Sequence, residues 1–380
     1  MDIDIRAVRD WAAEHEGEML ADLRTLVECE TPSDDLGALR EGLALVTEWI
    51  IERLGAPDRT EATPGGPTHG DAVRIEYGTG SAPKLILGHY DTVWPVGTLK
   101  EIPFTVTDDV IRGPGVFDMK AGLVQGVWAM RAFDALGLAR PPVRLLLNGD
   151  EELGSPASRA AIEAACSDAR EVLVLEPSVD GKVKTARKGI GGFHVEVTGV
   201  EAHAGLDPTA GASAIVALAR IVLQLTGAAD LDAGTSVNVG LIDGGSRLNV
   251  TAGHAHAGAE IRVRTKAEAE RIDAFVADLD PGDPRVSVSA TGDWRRPVMD
   301  RTPAVAALYE RARELAAPLG LDLGEAAVGG ASDGNFAAAT GLPVLDGLGA
   351  VGAGAHARDE YATVSGLIER CALTAALIAS

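Results

Sequence analysis

Three short runs, KLILGHY (84–90), VRLLLN (143–148) and EVLVLEP (171–177), are almost wholly apolar on both alternating positions. A strand with no polar side must be covered on both faces, which restricts this part of the chain to a sheet sandwiched between helices. The segments between them, GLVQGVWAMRAFDALG (122–137) and SRAAIEAACSDA (158–169), carry apolar residues at helical spacing. Strand, helix, strand, helix predicts an α/β layer with a mainly parallel sheet.

The texture changes near residue 187. GFHVEVTGV (192–200), SVNVGLI (236–242), HAHAGAEIRVR (254–264) and RVSVSATG (285–292) alternate polar and apolar residues, as strands with one wet face do. Helices at 212–226 and 266–279 are placed to cover the other face. The α/β texture returns with TPAVAALYERARELAAPLG (302–320), LPVLDGLG (342–349) and a closing helix, SGLIERCALTAALIA. The expectation is an α/β domain at 1–187 and 298–380, interrupted by a smaller α+β domain at 188–297.

With 380 residues, 46% hydrophobic and 24% charged, the composition is that of a globular protein with a large core. A formal charge of -22 excludes nucleic acid and anionic membrane surfaces as expected partners, because both need cationic patches. Cys29, Cys166 and Cys371 stand far apart with no CxxC spacing, so they read as buried, inert thiols. No apolar run reaches membrane-spanning length, and MDIDIRAVRDW is acidic where a secretory signal would be basic; the expected location is the cytoplasm.

The chemistry gathers at the ends of the three apolar runs. GHYDTV follows the first, NGDEELG the second and LEPS the third. Parallel sheets open their ligand crevice at the carboxyl ends of the strands, so His89, Asp91, Glu151, Glu152 and Glu176 should converge there. Asp118, in RGPGVFDMKAG (112–122), precedes a helix; taken alone it reads as an N-cap. Asp118, Glu152 and Glu176 bring three negative charges, His89 adds an imidazole, and the distant GAGAHARDEY offers His356. Packed together without a cation, such carboxylates raise one another's pKa and destabilise the fold. Two divalent ions and a hydroxide balance them. If Asp118 bridges, each ion receives one histidine, one private carboxylate and the shared aspartate, the open three-ligand pattern of a catalytic zinc site. Glu151 then remains to act as a base.

HYDTV, GPGVFDMKAG, NGDEELGS, LEP, EAHAG and GAGAH, in this order and spacing, resemble the co-catalytic zinc peptidase family of glutamate carboxypeptidase, acetylornithine deacetylase and succinyl-diaminopimelate desuccinylase. GGASDGNF (329–336) and LDGLGAVGAGAH (345–356) look most like the glutamate carboxypeptidase branch. The resemblance implies two zinc ions per subunit, with cobalt or manganese as alternatives. His89, Asp118 and Glu176 would hold one ion, and Asp118, Glu152 and His356 the other. It further implies Asp91 as the residue orienting His89, Glu151 as general base, a cis peptide after Asp118, and His203 as an oxyanion donor in its own or a partner subunit. Asn249, Arg262 and Arg296 match positions that contact the substrate or its carboxylate, an anion that suits an arginine fork. Arg262 and Arg296 also read as solvated strand charges, and Arg295 stands next in line for the second position.

The implied activity is a zinc-dependent amidohydrolase or carboxypeptidase that releases a C-terminal amino acid, glutamate first, from a small peptide. An N-acyl amino acid deacylase with the same machinery is the alternative, and a non-catalytic scaffold the rival from another class. A homodimer through the inserted ferredoxin-like domain, which would also act as a lid, is expected by resemblance. His254 and His256 face one side of a strand but have no evident third ligand, so they read as part of a wet face. His15, His69 and His194 read as surface or packing residues.

Overall fold

The computed structural model describes residues 3–80 and 82–380; Met1, Asp2 and Ser81 lie outside the described residues. The three apolar runs form adjacent strands of one six-stranded sheet. Its order is Arg59–Thr63, Ala72–Tyr77, Val143–Asn148, Lys84–His89, Glu171–Val174, Val344–Leu345. Neighbours are parallel from Val143–Asn148 across to Val344–Leu345. Ala72–Tyr77 pairs antiparallel with Val143–Asn148, and Arg59–Thr63 completes that edge. The outermost strand is almost entirely exposed, which explains why no apolar run marks it. The sheet is thus α/β and mainly parallel, with an antiparallel edge.

Register decides what meets at the carboxyl ends. His89 lies opposite Asn148, and Leu87 opposite Val174, so the three polar tails leave the sheet at one level. Helix Ala121–Ala135 buries twelve of its fifteen residues. Such a helix belongs inside a protein, and it packs against the closing helix Val364–Ala379, itself buried along most of its length. Among the described residues no helix is long and apolar enough to cross a membrane.

The chain divides into two compact units, one of residues 1–185, 301–328 and 332–380, the other of residues 186–300 and 329–331. The second contains a four-stranded antiparallel sheet in the order Ser236–Gly244, His254–Val263, Gly189–Thr198, Ser287–Arg296. Helices Ala214–Gly227 and Lys266–Ala277 complete the β-α-β-β-α-β order of a ferredoxin-like unit. Along Gly189–Thr198, Phe193, Val195 and Val197 point into the core with Leu218, Ile221 and Ile272, while His194, Glu196 and Thr198 are exposed on the opposite face.

Candidate metal centre

His89 is the last residue of its strand, and its ring is positioned from behind. Its Nδ1 faces Asp91, 3.0 Å from the backbone oxygen and 3.3 Å from Oδ1. The same Asp91 carboxylate accepts from Ser33 Oγ at 2.7 Å and from the backbone N–H groups of Glu151 and Glu152 at 3.4 and 3.2 Å. One buried acid therefore holds both an imidazole and the turn that carries two further acids. That turn, Glu151–Leu153, is a single 3-10 turn closed by Gly154 in the left-handed region.

Asp118 is not a helix cap. The helix begins at Ala121, and Asp118 sits ahead of it in extended backbone, followed by a cis peptide to Met119. A side chain on Gly122 would lie 2.1 Å from the Leu175 carbonyl. Glycine at that position lets the first helical turn press onto the strand end that bears Glu176.

The side chains then meet. His89 Nε2 lies 3.2 Å from Asp118 Oδ1 and 3.6 Å from Glu176 Oε1. His356 Nε2 lies 3.0 Å from Glu152 Oε2 and 3.6 Å from Asp118 Oδ2. Asp118 thus turns one oxygen toward each imidazole. His356 adopts φ +61°, an uncommon conformation for a residue with a side chain and one that clusters at functional sites. Two triplets result, His89 with Asp118 and Glu176, and Asp118 with Glu152 and His356, each with one ligand atom per residue lying within 4.8 Å of the others.

The electrostatics fit cations at these positions. Burial alone would depress the His89 pKa, yet Asp118, Asp91 and Glu176 hold it well above its ordinary value. Hydrogen bonds to Asp118 and Glu152 push His356 up to about 10. Burial raises the Glu152 carboxyl, and its Oε1 is buried with no hydrogen-bond partner. Burial acts the same way on Asp118, but His356 and His89 outweigh it and hold Asp118 below the carboxylate range. Neutral imidazoles and carboxylates are the donors zinc takes, and a buried carboxylate oxygen with no hydrogen-bond partner on a residue of the cluster has lone pairs free for a cation.

Two acids here have roles that the sequence reading missed. Asp150, the first of the three consecutive acids, is fully buried and accepts from the backbone N–H groups of Ala157 and Ser158 and from Ser158 Oγ, shaping the loop. Glu360 accepts from four donors: Phe117 N–H at 2.8 Å and Asp118 N–H at 3.1 Å on Oε1, and Trp94 Nε1 at 2.9 Å and Gly115 N–H at 3.0 Å on Oε2. It clamps the loop that presents Asp118. Its only sequence signal is an acid four residues beyond His356.

Residues 85–380 match the model of Peptidase family M20/M25/M40. The chain belongs to this family. Among its relatives, carboxypeptidase G2 of Pseudomonas sp. strain RS-16 is 28% identical over 97% of this chain and 90% of its own length. The acetylornithine deacetylase of Myxococcus xanthus is 32% identical over 48% of this chain and 50% of its own. The fold is similar to that of the aminopeptidase PepT of Bacillus cereus, with a TM-score of 0.75 at 20% identity over 96% and 98% of the two chains. As a member of family M20/M25/M40 the chain is a metallopeptidase, an enzyme of the amidohydrolase type, and the two triplets are its candidate ligands.

The remaining candidates lie in the inserted unit and are described within it. His203 is exposed, and its Nδ1 accepts from the backbone N–H groups of Gly205 and Leu206 at 3.2 and 3.1 Å. That arrangement puts the proton of the neutral ring on Nε2, as a hydrogen-bond donor requires. The Asn249 carbonyl accepts from Ala204 N–H at 3.0 Å, so His203 and Asn249 stand on adjoining loops. Arg262 is half-buried, with Nε on Glu260 at 2.9 Å. Arg296 is buried beside a register shift at the end of Ser287–Arg296, which rules out a solvated charge there, whereas Arg295 is exposed.

Proposed function

We propose that this metallopeptidase binds two zinc ions and hydrolyses the amide that joins a C-terminal amino acid, glutamate foremost, to the rest of a small peptide. The observation that carries the reading is Asp118 standing between two imidazoles with one oxygen toward each, each imidazole backed by a further carboxylate. His89, Asp118 and Glu176 would hold one ion and Asp118, Glu152 and His356 the other; cobalt or manganese suits the same donors. When bound, the ions supply Lewis acidity to the scissile carbonyl and the attacking water. Glu151, on the turn anchored by Asp91, takes the proton from that water and delivers it to the leaving nitrogen. His203 donates from Nε2 to the developing oxyanion, a task its tautomer supports. Asn249, Arg262 and Arg296 are assigned to the substrate and its carboxylate.

Replacing Glu151 with Gln should lower kcat by about 10²- to 10⁴-fold, the usual worth of a general acid–base, with metal content unchanged. Loss of metal, or retention of turnover, refutes the role. A second reading, removal of an N-acyl group from an amino acid, is favoured by the similarity to a relative named acetylornithine deacetylase. Peptidyl- and acyl-glutamate substrates assayed against other N-acyl amino acids separate the two.

A homodimer through the inserted unit is part of the proposal. Ile215, Val216 and Leu223 on Ala214–Gly227, and Leu241 and Ile242 on the edge strand Ser236–Gly244, are exposed apolar side chains within one unit. Such residues on a helix and an unpaired strand edge mark an association surface.

A further inference from the structure

The wet face of the inserted sheet holds chemistry that amide hydrolysis does not use. His254 and His256 alternate along His254–Val263 and so point to one side. Sequence alone provided no third ligand beside them; the antiparallel register does. His256 lies opposite Glu196 of the neighbouring strand, and His254 opposite Thr198. His254 Nε2 stands 3.1 Å from Glu196 Oε2, and the two imidazoles are 6.3 Å apart. One ligand atom from each of Glu196, His254 and His256 lies within 4.8 Å of the other two.

We propose that Glu196, His254 and His256 form a further cation site, for a divalent transition metal of the zinc, nickel and copper class. It uses none of the residues of the candidate metal centre. With metal–ligand distances of about 2.0–2.1 Å, tetrahedral donors stand roughly 3.3 Å apart, so small side-chain rotations close the triplet around an ion. The His254 and Glu196 side chains are 62% and 51% exposed, which leaves them room to rotate. The backbone beneath does not move with them, because Val195, Val197, Ala255 and Ala257 are buried in the unit's core. Two imidazoles exclude calcium and magnesium, which take oxygen ligands, and the single carboxylate supplies charge. Asp243, opposite His256 on its other side, accepts from Gly244 N–H at 2.7 Å and adds negative potential rather than a fourth donor. The fourth position is left to water. Coordination would tie together the two central strands of the unit.

The test titrates the full-length, zinc-loaded enzyme, dialysed free of loose metal, with Zn²⁺ alone, counting bound metal by elemental analysis after equilibrium dialysis. The wild type should take up one zinc equivalent per chain more than the His254→Ala/His256→Ala double variant, with equal hydrolytic activity. His256→Gln and Glu196→Gln, which keep side-chain size, should each weaken that equivalent by at least about tenfold. Cu²⁺ in its place should show two nitrogen ligands by electron paramagnetic resonance in the wild type and one in His256→Gln. Equal stoichiometry in wild type and double variant overturns the site. An unchanged affinity in Glu196→Gln overturns the three-ligand assignment.

Discussion

Glu360 offers the sharpest test of how the Asp118 loop is held. Its two oxygens accept from four buried or half-buried donors, three of them backbone N–H groups of residues 115, 117 and 118. In Glu360→Gln one oxygen becomes an NH₂ group, which faces two donors instead of accepting from them. Each buried donor left unsatisfied costs about 1–3 kcal/mol, so the variant loses roughly 2–6 kcal/mol. Where metal binding must restore the loop, the lower figure alone weakens the ion by about 30-fold. The assay is zinc affinity by competition with a chromophoric chelator, alongside thermal unfolding of the metal-free protein. Adding Trp94→Phe removes one of the two conflicting donors and should recover about half of the loss, because the amide then turns its oxygen toward Phe117 and Asp118. A Glu360→Gln protein with wild-type zinc affinity and wild-type melting temperature refutes the clamp.

Other outcomes follow from the charges. With His356 at about 10, its ring is protonated at pH 8 in metal-free protein, and Asp118, Asp91 and Glu176 shift His89 in the same direction; loading zinc should release at least about one proton per chain, measured by calorimetry in buffers of different ionisation enthalpy. Burial, only partly offset by Glu171 at 2.9 Å, pulls Lys84 down to about 8. Between about pH 8 and 10.5 the unfolded chain therefore binds more protons at Lys84 than the native one. Stability relative to a Lys84→Met variant should rise over that window by about 3 kcal/mol and be flat below it, as read from urea unfolding at each pH. Leu223→Arg with Leu241→Glu should yield monomers by analytical ultracentrifugation with the inserted unit still folded; an unchanged assembly state refutes the interface.

The sequence shows some of this and hides the rest for physical reasons. Short branched runs that are apolar on both alternating positions read as doubly covered strands, so the α/β layer and the level at which His89, Glu152 and Glu176 emerge are visible in KLILGHY, VRLLLN and EVLVLEP. Arg59–Thr63 leaves no such mark because it is an exposed edge strand, and Ala72–Tyr77 because Arg74 and Glu76 interrupt its buried apolar residues. Glu360 escapes notice because three of its four partners are backbone groups more than 240 positions away, and a backbone donor has no letter in a sequence. Glu196 is hidden for a related reason: cross-strand register depends on where a distant strand docks. Asp150, Glu151 and Glu152 read as one acidic cluster, but the break from strand to 3-10 turn gives the three different surroundings.

Asp91 bonds to the ring of His89 and to the amides beneath Glu151 and Glu152, so one small lever governs two instruments. A tilt of that carboxylate would misalign the imidazole and the neighbouring acids in a single stroke. Drift in the grip on the ion and drift in the handling of protons would then arrive together.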